Sequence, residues 1–251
     1  PIATNRFHQD EALYSTWALH IATGRDMLLN GFPVDKPPLF PYTLALFFRL
    51  FGPSEVVARL PGVLASTASV ALVTYLAWRL YGRPTALAAA ALMALSPFNI
   101  LFAPTALTDP LLVALVLGAL CLAVAGHWTW AGVMAGLAAA TKQQGLFFLP
   151  LIVGVGLAAT AVEDKRVSES LSGSVIARSR SPDPERSEGE GAATKQSLLE
   201  GLRLLPLRCA QGFGSRARND RKRWRAYVLN DGPHFSLGFL AAVAPAILWD
   251  L

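Results

Sequence analysis

The chain has 251 residues, 53% of them hydrophobic and only 16% charged, with a net charge of +5 and a mean hydropathy of +0.41. That balance is too apolar for an ordinary soluble domain and directs the reading to a polytopic membrane protein. The positive charge does not describe a nucleic-acid groove, because 14 of the 22 Lys and Arg residues lie between Glu163 and Asp231, so no nucleic-acid partner is expected.

Residues 1 to 55 form a segment too long for a bare connection between helices. In it, Asp10 is expected to cap a helix running through Ala12, Leu13, Trp17, Leu19 and Ile21 to Gly24, where a left-handed glycine stops it. A second helix is expected over Leu39 to Phe51, opened by Pro37-Pro38 and closed by Gly52-Pro53. Both are too short to span a bilayer and suit its interface. Between them, Asp35 and Lys36 stand beside two prolines that stiffen the backbone.

Six spans follow: Val56 to Tyr81, Thr85 to Leu101, Leu107 to Ala125, Trp130 to Thr141, Gly145 to Val162, and Phe235 to Leu251. The fourth is short, but its Gly132, Gly136 and alanines suit close packing against a neighbouring helix. Placing Arg79 and Arg83 on the cytoplasmic side puts the basic segment after residue 163 there too, four spans later. Residues 1 to 55, the loop near Asp109, and Lys142 then face outside. The stretch from about Lys165 to Arg225, rich in Ser, Arg, Glu and Gly, reads as a disordered cytoplasmic insertion, and its sequence resembles a translated bacterial DNA repeat. RKRWR at 221 to 225 also suits contact with anionic lipid. Cys121 lies in an apolar run and Cys209 in a basic one, so no disulfide is expected between them. The start at Pro1 and the stop at Leu251 inside an apolar run lead to the expectation of a piece of a longer chain.

The charges that remain in this apolar chain are the candidates for chemistry. Asp10 and Glu11 fit either a functional carboxylate pair or simple stabilisation of a helix N-terminus. Lys36 fits an anion contact or a solvated loop charge, and Arg59 fits an anion contact or a snorkelling helix end. Asp109, in TALTDPLLVALVLG, sits at the mouth of a span, where an unpaired carboxylate is costly, although capping by Thr108 or Asp109 is a competing account.

Four stretches taken in order, RFHQDEALYSTWALHIATG, VDKPPLFPYTLALFFRLFGPSEVVARLPGVLAS, FAPTALTDPLLVALVLG and GLAAATKQQGLFFLPLIVG, resemble the GT-C membrane glycosyltransferases of the protein O-mannosyltransferase and aminoarabinose transferase type. The resemblance covers about residues 5 to 162 and, more weakly, 235 to 251. It implies an all-α, GT-C-like helical bundle with interfacial helices in a long first outer loop. By that resemblance Asp10 matches the essential active-site carboxylate, with Glu11 beside it, and Asp109 matches a second acid in the next outer loop. Lys36 matches the lysine that contacts the lipid phosphate, with Arg59 as a further phosphate-binding candidate. Some members bind a divalent metal near these acids, and Asp35 stands where one relative has a metal-contacting glutamate. The implied partners are a polyprenyl-phosphate sugar donor, a lipid, glycan or protein acceptor, and membrane lipids, at the outer face of the cytoplasmic membrane.

Two other classes are weighed against this one. A transporter or flippase would line a pathway with charge, but no polar residue interrupts the middle of the spans at Thr85 to Ser96 or Leu111 to Ala125, and no broken helices or repeated halves are visible. A non-catalytic membrane fragment, inactivated by the insertion, is the other.

Overall fold

The structure, a computed structural model, describes residues 6–162 and 227–249. By its internal contacts the chain divides into two units, Pro1–Thr160 with Gly232–Leu251, and Ala161–Asp231. The expected insertion, the RKRWR stretch and Cys209 lie outside the described residues. Of the second unit, the described residues are the last two of one helix and a π-helical turn, Tyr227–Asp231.

The described residues are all-helical. Helix α1 spans Gln9–Ala22 and α2 spans Leu39–Phe51. Gly24 at φ 70° ends the first and Gly52 at φ 82° ends the second, as a left-handed glycine past a helix end should. On α1 the buried Tyr14, Trp17, Ala18 and Ile21 fall at helical spacing, and they pack with Phe40, Leu44, Ala45 and Phe48 of α2, together with Ala58 and Ala106. The Arg49 guanidinium donates to the carbonyls of Ala22 and Ile21 at 3.1 and 3.2 Å, satisfying the end of α1 from α2. Within the connecting loop, the Asp26 carboxylate accepts the N–H groups of Asn30 and Gly31, and the Tyr42 hydroxyl donates to Met27 O at 2.6 Å. Leu29 holds a left-handed φ of 53° there, a strained state for its side chain, which is nonetheless buried in the core.

Helix α3, Glu55–Tyr81, begins at Ser54, whose Oγ accepts the Val57 N–H at 3.3 Å. At 27 residues it is about 40 Å long. The expected second span is not one helix. It divides into α4, Arg83–Leu95, and α5, Pro97–Phe102, because Pro97 has no N–H to continue α4 and drives Ser96 to an extended ψ of 123°. Helix α6, Thr108–Val124, and α7, Trp128–Thr141, agree with the third and fourth expected spans within two residues. Helix α8, Gln143–Val162, opens as a 3-10 turn over Gln143–Phe148. Helix α9, Gly232–Trp249, starts three residues before the expected sixth span. Of these, α3 and α8 are long and apolar enough to cross a membrane.

Helix α6 lies between α3 and α7, and α9 packs most closely on α7. That last contact is made by glycines. A Cβ on Gly132 would meet the Phe235 backbone, one on Gly136 would meet Ala242 Cβ and Phe239 O, and one on Gly238 would meet Thr129 O. Gly136→Leu is therefore expected to force the helices apart and destabilise the fold by about 1–3 kcal/mol or more. Gly154→Ala, on α8 with open space around it, should be neutral or stabilising by up to about 1 kcal/mol. Thermal unfolding of the two variants in detergent checks the contrast.

Candidate functional site at one end of the helices

The starts of α3 and α6 and the end of α7 come together at one end of the bundle, and α1 and α2 are joined to that end by their shared core. Helix α1 begins one residue before Asp10, with His8 at the N-cap, because Glu11 reaches back so that its Oε2 accepts the His8 N–H at 2.9 Å. Asp10 thus stands in the first turn, exposed, and is not the cap.

Glu11 is buried at 4% exposure and faces Arg59 of α3, itself 2% exposed. Arg59 Nε lies 3.2 Å from Glu11 Oε1, and one terminal nitrogen donates to Glu11 Oε2 and to Arg6 O, each at 3.4 Å. The guanidinium also sits 5.3 Å from the centre of the Phe7 ring. Glu11 Oε1 accepts a further hydrogen bond, from Ala106 N–H at 2.8 Å, in the segment leading into α6. Burial alone pushes the Glu11 carboxyl up, yet the N–H groups of His8 and Ala106 and the Arg59 guanidinium outweigh it, so it titrates below the usual carboxylate range. The segment approaches α3 closely because Gly62 has no Cβ, and one there would strike the carbonyls of Thr105 and Ala103. Arg59 is therefore neither a snorkelling helix end nor open to a phosphate, and Glu11 spends both oxygens on internal donors.

The other candidates remain accessible. Lys36 Nζ pairs with Asp35 Oδ2 at 2.7 Å, the two side chains being 46% and 69% exposed. Asp109, in the first turn of α6, caps nothing. Its Oδ1 accepts from Lys142 Nζ at 2.7 Å, across from the end of α7. Lys142 is well placed for this, because Gly145 folds the chain back against the Ala138 and Ala139 backbone, with Gly145 N–H donating to Lys142 O at 2.8 Å. Tyr14 links the groups: burial raises its phenol, the Lys36 charge opposes that, and Asp10, Asp35 and Asp109 add to it. One side chain is thus within electrostatic reach of all four. Sequence reasoning passed over Tyr14, although its place one turn beyond Asp10 was the available signal, and it left the partner of Lys142 open.

Among the described residues no three His, Cys, Asp or Glu side chains gather within reach of one ion. Asp35 has Lys36 as its partner.

Fold and site define a class: the described residues are apolar helices, with the ion pairs Glu11–Arg59 and Asp109–Lys142 at one end and two loop helices packed there. The family described as dolichyl-phosphate-mannose-protein mannosyltransferase matches residues 35–175, more than half of the chain, and the chain belongs to that family. Membership places it among membrane glycosyltransferases that use lipid-linked sugar donors. The matched range contains Lys36, Arg59, Asp109 and Lys142 and begins after Asp10 and Glu11. No curated protein and no solved structure matches the chain.

Removing one member of a buried ion pair strands the other, so Arg59→Ala is expected to cost about 3–5 kcal/mol of stability at neutral pH. Because folding lowers the Glu11 pKa from its ordinary 4.5, the carboxylate stabilises the fold above that value and its contribution is lost as pH falls through the folded-state value. The gap in melting temperature between wild type and Glu11→Gln should accordingly be full above about pH 5 and close on acidification. Melting curves across that range test it.

Proposed function

We propose that this chain transfers a sugar from a polyprenyl-phosphate donor to an acceptor hydroxyl on a lipid, glycan or protein, at the outer face of the cytoplasmic membrane. The observation that carries this reading is the Asp109–Lys142 pair at the start of α6, with the first turn of α1 and its exposed Asp10 tied to the segment leading into that helix through Glu11 and Ala106, in a chain of this family. Such a donor keeps its lipid in the bilayer and its anomeric carbon at the surface, so the chemistry belongs at helix ends. The outer assignment is supported by Arg79, Arg83 and the basic segment, which the positive-inside rule places on the opposite side. In this reading the helices form a multi-pass bundle, with α1 and α2 at the interface.

In the proposed displacement the acceptor oxygen bonds to the anomeric carbon while the bond from that carbon to the phosphate oxygen breaks, its electron pair leaving with the phosphate. The acceptor proton passes to Asp10, which is exposed; general-base help of this kind contributes on the order of 100- to 10,000-fold. Lys36 stabilises the departing phosphate. Its present partner is a solvent-exposed carboxylate, and such pairs are worth no more than about 1 kcal/mol, so exchange of Asp35 for phosphate is inexpensive. Asp109, held by Lys142, orients the acceptor. Glu11 and Arg59 act through position, fixing α1 to α3 and to the start of α6. A single displacement inverts the anomeric centre.

The test uses membranes carrying the full-length gene product, supplied with labelled polyprenyl-phosphate hexoses and pentoses and native envelope acceptors. Wild type should transfer label with inverted configuration, and Asp10→Asn should lose at least about 100-fold in rate with its melting temperature unchanged. Lys36→Met should lower the rate by about 10- to 100-fold. Wild-type protein that is folded and inserted but transfers no label from any donor would overturn the reading, and a retained anomeric configuration would overturn the single displacement.

A further inference from the structure

Tyr14 is buried at 7% exposure, and its ring is fixed edge-on against Trp17 at 5.7 Å and 80° and against Phe40 at 5.3 Å and 83°. A tyrosine so enclosed ordinarily finds a hydrogen-bond partner for its hydroxyl. Among the described residues, this one has none. Nor is it among the polar atoms sealed from solvent without a partner, which are Ser15 Oγ, Trp17 Nε1 and Ser66 Oγ. The oxygen thus keeps contact with solvent. It does so one helical turn after the exposed Asp10, on the same face of α1, and in a field set by Lys36, Asp10, Asp35 and Asp109.

We propose that the Tyr14 hydroxyl is a further catalytic group, donating a hydrogen bond to the phosphate oxygen that leaves the anomeric carbon, beside the Lys36 ammonium. The proposal rests on the glycosyl-transfer reading above. The phenol keeps its proton throughout: the acceptor proton goes to Asp10, the electron pair goes to the phosphate, and Tyr14 supplies only a dipole where negative charge grows. The pocket favours this donor role, since burial and three neighbouring carboxylates hold the phenol in its protonated form. Packing against Trp17 and Phe40 fixes the ring before the donor arrives, so little ordering is required at the moment of reaction. Phe at this position would keep both edge-on contacts and lose only the oxygen.

Tyr14→Phe separates this role from a structural one. In the membrane transfer assay with labelled polyprenyl-phosphate sugar, the variant should show the wild-type melting temperature, a kcat lower by about 10- to 100-fold, and a KM for the donor within about threefold of wild type. Tyr42→Phe removes a hydroxyl whose partner is the Met27 carbonyl, and should leave kcat within about twofold. If wild type transfers sugar and Tyr14→Phe matches its kcat, whatever happens to KM, the hydroxyl has no part in the transition state and this inference fails while the function stands. If wild type transfers no sugar, the transferase reading fails and takes this inference with it.

Discussion

A carboxylate and a guanidinium removed from water on separate helices destabilise a fold unless their geometry and their remaining hydrogen bonds are satisfied. Glu11 and Arg59 meet that condition with help from three backbone groups, the N–H of His8, the N–H of Ala106 and the carbonyl of Arg6. The pair therefore does more than join two charges. It ties the first turn of α1 to the first turns of α3 and to the segment that delivers Asp109 into α6. Three features of the site sit close to this junction along the chain: Asp10 precedes Glu11 by one residue, Tyr14 follows it by three, and Asp109 follows Ala106 by three. In a chain that is only 16% charged, two of the charges serve to hold these segments together.

The apolar architecture meets the same end of the molecule by different means. Helices α7 and α9 approach through Gly132, Gly136 and Gly238, which suits an environment where lipid and leucine are equally apolar and only close contact distinguishes them. Gly62 allows the same intimacy between α3 and the carbonyls of Ala103 and Thr105. Small residues thus bring backbones together where the site needs precision, and the two short helices α1 and α2 cover it with an aromatic core of Tyr14, Trp17, Phe40 and Phe48.

Much of this was legible in the sequence. The bounds of α2 followed from its flanking prolines and Gly52, and the role of Gly24 followed from helix-ending chemistry. The helices α3, α6 and α7 followed from apolar length, and the glycines of α7 announced a close neighbour. The division at Ser96 was legible too, since Pro97 stood in the run, but average hydropathy concealed it. The site was harder because a charge's partner is a tertiary fact. Capping rules favoured Asp10 as the N-cap, yet the acid three residues past His8 took the capping contact and the buried pair together. Arg59 looked like a helix-end cation because nothing local marks a buried one, and its partner lies 48 residues away. The Asp109–Lys142 contact spans 33 residues and was invisible for the same reason.

The junction at Glu11 also has a consequence for how such a chain can change over generations. Its two side chains must vary together, since either alone leaves a stranded charge. Its other members are main-chain groups, among them the Ala106 N–H, which every residue except proline supplies. Position 106 can therefore drift in chemistry, limited only by the small volume that a fully buried alanine occupies, and the contact will persist without leaving a trace in a comparison of sequences. The letters of the sequence name the acid and the arginine, while the backbone that completes their cage carries no letter of its own.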